Sequence, residues 1–131
     1  MNDSARSYEL VVLPRNYGMC KFGAKALVPA WVDSGDFWSV SRTPDELAIV
    51  CEERLIPAGV HSEGGFSCLK VIGPLEFSTV GVISSLTSTL AASGISIFVI
   101  STFDTDYLFV RQTALPDAID ALRESGHVVQ F

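Results

Sequence analysis

Two histidines, three cysteines and a scattering of carboxylates are the side chains of this sequence that could act on a substrate. His61 and His127 stand in no HxH or HxxE spacing, so neither a metal set nor an acid–base pair is indicated. Cys20, Cys51 and Cys68 are odd in number, widely spaced and without a CxxC pair, and read as small buried apolar residues rather than a disulfide framework. A reactive thiol at Cys20 stays open, although only Lys21 is near enough in sequence to lower its pKa. Gly59 and Gly64-Gly65 form neither a Walker A string nor GxGxxG. No catalytic residue, metal ligand or cofactor is therefore assigned, and the chain is not expected to be an enzyme.

Binding is better supported than catalysis. An apolar run that stops at Gly73-Pro74 and reopens as a helix near Ser78 leaves backbone N–H groups unpaired at a helix start, where the helix dipole favours a carboxylate. Gly81 removes a side chain just inside that helix. Glu76, Asp104 and Asp106 are candidate partners for an ammonium group. Leu75, Phe77, Thr79 and Val80, with Ile100, Ser101, Thr102 and Phe103, are candidate walls. Each has a plainer reading as well: Asp104 and Asp106 as turn formers, Glu76 as a solvated charge, the apolar members as core.

These groups belong to a chain of 131 residues, enough for one core or for two small units. Hydrophobic residues at 48% and charged ones at 18% predict a folded globule. A net charge of −6 with no Lys/Arg cluster repels phosphate backbones, so nucleic acid is not an expected partner. Apolar runs are too short to cross a membrane and Met1 to Tyr8 is polar, which makes the cytoplasm the expected compartment.

The elements that must position the candidate site follow from periodicity. Cys68 to Ile72 predicts a strand and Ser78 caps a helix with the stripe Val80, Ile83, Leu86 and Leu90, stopped at Gly94. Ile95 to Thr102 and Tyr107 to Arg111 predict strands around the turn Phe103-Asp104-Thr105-Asp106. Pro116 opens a second helix to Ser125, and Val128 to Phe131 closes as a strand. The order is βαββαβ.

Sliding the chain against itself gives a match in which Trp38 to Val50 lies over Phe98 to Val110, an offset of 60 residues, and Val11 to Pro14 lies over Val71 to Pro74. Strands are expected at Leu10 to Leu13, Phe37 to Ser41 and Leu47 to Cys51. The intervening stretches carry Gly18, Gly23, Pro29, Pro57 and Gly59, which oppose helices, although Pro29 to Asp33 can make one helical turn. Residues 8–65 thus read as a degenerate copy of residues 66–131. Trp38 is expected in its core, and Trp31 is left open between core and surface.

The string Leu69 to Ile83, followed by Leu90 to Thr102 and Asp106 to Val110, resembles an ACT domain. It is most similar to the tandem branch that includes the CASTOR arginine sensors and to aspartate kinase regulatory domains. The resemblance implies an α+β, ferredoxin-like βαββαβ fold in tandem with a degenerate N-terminal ACT-like unit. It also implies an amino acid ligand at the loop Gly73 to Gly81 and the strand end Ile100 to Phe103, often across a domain or dimer interface. A homodimer acting on a further, unidentified regulated protein is the expected assembly. A structural dimerisation or interaction module without ligand is the alternative.

Overall fold

The computed structural model describes residues 6–75 and 81–131. Two compact units divide the chain: residues up to Pro14 together with Ser67–Phe131, and Arg15–Phe66.

The C-terminal unit is built from β1 (Glu9–Val12), the second half of β5 (Ser62–Val71), α1 (Val82–Ala92), β6 (Ile97–Ser101), β7 (Asp106–Arg111), α2 (Leu115–Glu124) and β8 (Val128–Gln130). From β5 onward this is the βαββαβ order. Its strands lie in the order β8-β1-β5-β7-β6. β1 is antiparallel to β5 and parallel to β8, with Leu10 opposite Val71 on one side and Val129 on the other. The strand expected to open the N-terminal unit thus belongs to the C-terminal one. Leu10, fully buried, joins Leu69, Val71, Leu108 and Val129 in the face that receives α1 and α2. An apolar strand signals that a face is buried but not against which sheet, and here the C-terminal core claims it.

The stripe of α1 differs from the expected one. The described helix starts at Val82 with Gly81 at its N-cap, and Val82, Leu86 and Leu90 are buried at spacings of four while Ile83 is 38% exposed. With Val82, Leu86 and Leu90 facing the core, Ile83 sits about 100° round the helix from Val82, at the edge of the buried stripe. α2 carries Pro116 in its first turn and buries Ala118, Ile119, Ala121 and Leu122, and Gly126 follows it at a φ of 93° that favours glycine.

The N-terminal unit contains β2 (Tyr17–Phe22), β3 (Trp38–Arg42), β4 (Leu47–Glu52) and the first half of β5, in the order β3-β4-β2-β5. A 3₁₀ helix at Ala30–Ser34 is the single helical turn expected after Pro29. Its core is Cys20, Val32, Leu47, Ile49 and Cys51, with Trp31 partly buried against it. Trp38, expected inside, is 45% exposed because β3 is an edge strand. Burial pushes the Cys20 and Cys68 thiols up, and burial followed by the charge and hydrogen bonding of Cys20 pushes Cys51 up to about 12. All three are packed thiols, not thiolates.

The β3–β4 and β6–β7 hairpins share one turn. Thr43 N–H donates to the Glu46 carbonyl at 2.9 Å and Thr102 N–H to that of Thr105 at 2.8 Å, and each threonine hydroxyl also lies on the same carbonyl. The pair Arg42↔Leu47 corresponds to Ser101↔Asp106, so the hairpins correspond at an offset of 59, one residue from the sequence match.

His127, at the start of β8, is 5% exposed; its Nδ1 accepts the Tyr8 N–H at 3.1 Å and its ring stacks on Tyr8 at 5.7 Å. Burial holds its pKa below the ordinary value of 6.5. Folding therefore favours the neutral ring, and the stability it contributes is complete above that value and is lost as pH falls through the folded pKa. Urea midpoints are expected to fall between pH 7.5 and pH 5, with a smaller fall in His127→Gln. An equal fall in both would remove His127 as the cause.

Candidate functional site

The hydrogen-bonded start of α1 and the β6–β7 turn face one another across a cleft of about 280 Å³. From the helix come Gly81, Val82, Ile83 and Ser84; from the hairpin Ser101, Thr102, Phe103, Asp104, Thr105 and Asp106; from the segment after β5, Leu75.

Gly81 stands at φ 88°, ψ 2°, a left-handed conformation costly for any residue with a Cβ, and among the described residues no side chain caps the helix. The first bond of α1 runs from Ser85 N–H to the Gly81 carbonyl at 2.8 Å. The N–H groups of Val82, Ile83 and Ser84 precede that bond and have no acceptor one turn earlier within α1. These donors and the positive end of the helix dipole lie at the cleft.

The hairpin is held against the end of β5 and the segment after it by two hydrogen bonds, with Gly73 allowing the close approach. Leu75 N–H donates to the Asp104 carbonyl at 2.7 Å, Thr105 Oγ1 donates to the Val71 carbonyl at 2.6 Å, and a Cβ on Gly73 would stand 3.0 Å from the Asp104 carbonyl. This fastening separates the two aspartates. Asp104 is exposed on the turn, whereas Asp106 is 9% exposed and its Oδ1 accepts the Ser101 hydroxyl at 2.6 Å. A buried carboxylate with one short bond retains acceptor capacity for a ligand cation. Phe103 is 77% exposed on the rim, as is Ile83 at 38%.

Of the residues expected at the site, Leu75, Gly81, Ser101, Thr102, Phe103, Asp104 and Asp106 line the cleft. Ile100 pairs with Tyr107 within the hairpin and is not among the lining residues. Glu76, Phe77, Ser78, Thr79 and Val80 lie outside the described residues. Val82, Ile83, Ser84 and Thr105 were not anticipated. Ser84 and Thr105 have the polar side chains of a lining, but their place depends on where the helix starts and where the turn closes. Among the described residues no cluster of His, Cys, Asp and Glu could hold a metal ion, and no helix is long and apolar enough to cross a membrane.

A βαββαβ unit of ferredoxin-like α+β fold is the fold of ACT domains. Residues 61–124 match the ACT domain family, and residues 15–59 match a separate family of N-terminal domains. The Agobacterium tumefaciens protein Atu0741 is 41% identical over 97% of this chain and 96% of that one, with a TM-score of 0.91. The chain belongs to the same family as that protein, and within it residues 61–124 form the ACT domain match. The Vibrio cholerae protein VC0802, described as of unknown function and a possible transport protein, is 26% identical over 91% of this chain and 90% of its own, with a TM-score of 0.75. Escherichia coli aspartokinase III, in complex with aspartate and ADP, shares the fold at 12% identity and a TM-score of 0.65, over 89% of this chain and 33% of its own. No curated protein matches the chain in sequence.

Proposed function

We propose that the chain is a non-catalytic regulatory module that binds a free amino acid in the cleft of its C-terminal unit. The observation that carries this reading is the pairing of opposite chemistries across one small cleft. The backbone N–H groups of Val82, Ile83 and Ser84, which have no acceptor one turn earlier within α1, suit an α-carboxylate, and the buried Asp106 carboxylate suits an α-ammonium. Glu76 and its neighbours to Val80 complete the site in this reading. The cleft volume suits a ligand of amino acid size, and Leu75 and Val82 supply apolar wall.

Exposed Phe103 and Ile83 at the rim support closure of the cleft by a second copy of the chain. Ligand would then bind the dimer and not the monomer, which is the differential affinity that converts occupancy into output. Output passes through the dimer or a regulated partner protein. The turn shared by the two hairpins supports the N-terminal unit as a degenerate ACT copy, the tandem arrangement of amino acid sensors such as CASTOR. The same exposed aromatic rim also suits a ligand-free dimerisation module, the competing reading.

A thermal-shift screen against the twenty amino acids, with mass followed by light scattering, separates the two. The sensor reading expects one hit, or a few related ones, to raise the melting temperature by several degrees and the average mass toward that of a dimer. A flat screen on a constitutive dimer would establish the competing reading.

A further inference from the structure

We propose that Arg15 and Arg54, held side by side by the buried Glu52, form a binding site for a single carboxylate group of a small molecule on the N-terminal unit. The site lies apart from the cleft in chain and chemistry, and it does not depend on the amino acid reading of the C-terminal unit.

Glu52, at the end of β4, is 1% exposed. Its Oε2 accepts the Asp36 N–H at 2.7 Å, an approach made possible by Gly35, where a Cβ would collide with the carboxylate. Its Oε1 faces two guanidinium groups, Arg54 Nε at 2.9 Å and Arg15 Nε at 3.6 Å. Burial pushes the carboxyl pKa up, but the Asp36 N–H and the Arg54 and Arg15 guanidiniums outweigh it and hold the group below its usual range, so it is anionic.

A buried carboxylate with a backbone donor and one arginine is already satisfied. The second arginine overcompensates it, and the cluster of two cations and one anion carries one net positive charge in a chain whose net charge is −6. Arg54 donates through Nε and Arg15 lies at ion-pair distance through Nε, so the terminal amino groups of both are not used by Glu52. Among the described residues neither makes any further hydrogen bond or ion pair, and both side chains are 53% exposed. Acidic Glu53, next in sequence, is turned to the Gly65 N–H instead. One guanidinium fixed by a hydrogen bond and a second drawn to the same oxygen by charge favour an oxyanion, which binds with less ordering of two long side chains left to do. One net positive charge matches a monoanionic carboxylate better than a phosphate dianion.

The test follows the arginine Nε–Hε resonances of the full chain during titration with sodium acetate, with sodium chloride at matched ionic strength and with sodium phosphate. The expected result is a saturable shift of both Arg15 and Arg54 in acetate, half-complete at about 1 to 10 mM, from two charge-assisted contacts at an exposed site. The acetate response is expected to weaken about tenfold in Arg54→Gln, and Arg15→Lys, which keeps the charge but loses the fork, gives the same reading should the first variant fail to fold. Linear shifts equal in acetate and chloride, an undiminished response in the variants, or saturation by phosphate but not acetate would each overturn the assignment.

Discussion

Leu86→Ala is expected to destabilise the chain by about 3 kcal/mol, from lost burial and the cavity left behind. Leu86 is fully buried in the middle of α1, between Val82 and Leu90, and packs into the core that contains Leu10, Leu69 and Leu108. The cost falls on the element that presents Gly81, Val82, Ile83 and Ser84 to the cleft, so ligand-induced stabilisation should fall along with basal stability. At roughly 3 °C per kcal/mol for a chain of this size, the melting temperature drops by about 10 °C. Exposed Ile83, one residue after the buried Val82, provides the control: Ile83→Ala should cost less than about 1 kcal/mol of basal stability. Equal losses in the two variants would contradict the observed start and rotation of α1.

Asp106→Asn is expected to remove most of the stabilisation that an amino acid confers while leaving the fold intact. Asparagine keeps an oxygen for the Ser101 hydroxyl, which donates to Asp106 at 2.6 Å, so the hairpin loses little. What it lacks is the charge opposite an ammonium group, a contact worth about 1.5 to 3 kcal/mol and hence about tenfold to a hundredfold in affinity. A ligand at a hundred times its wild-type dissociation constant stabilises by about 2.7 kcal/mol; the same concentration would give the variant under about 1.5 kcal/mol. Asp104, exposed on the same turn, is expected to matter less: Asp104→Asn should retain most of the ligand response. If the two substitutions act alike, the depth of Asp106 in the cleft is not what selects the ligand.

The contrast between those aspartates shows where sequence reading stops. Both are ordinary turn residues in a Thr-Phe-Asp-Thr-Asp string, and only the pinning of the turn to Leu75 and Val71 makes one a buried wall and the other a solvated tip. The βαββαβ order of the second half was legible because its helices carry apolar stripes between a strand-ending Gly-Pro, an N-terminal Pro116 and the stops Gly94 and Gly126. The described part of α1 opens at Val82 behind the left-handed backbone of Gly81, and the cap expected at Ser78 lies outside the described residues.

Glycine also hid one strand and the first half of another. Gly18 within β2 and Gly64-Gly65 within β5 lower strand propensity, yet the ladder from Tyr17↔Glu52 to Phe22↔Leu47 fixes β2 along its length. The self-match found both hairpins but aligned their apolar residues, whereas the structure aligns them through the threonines that close the turns, hence 59 in place of 60. Arg15, Glu52 and Arg54 carried no signal at all, because Arg15 comes from a distant segment and only the fold brings it to the carboxylate.

The measurement that tests the central claim most directly is a backbone amide NMR titration of the full chain with the amino acids, singly or in pools. The account predicts saturable shifts concentrated at Gly81 to Ser84 and Ser101 to Asp106, the two sides of the cleft. No saturable shift with any amino acid, or saturable shifts confined to residues 15–66, would contradict it.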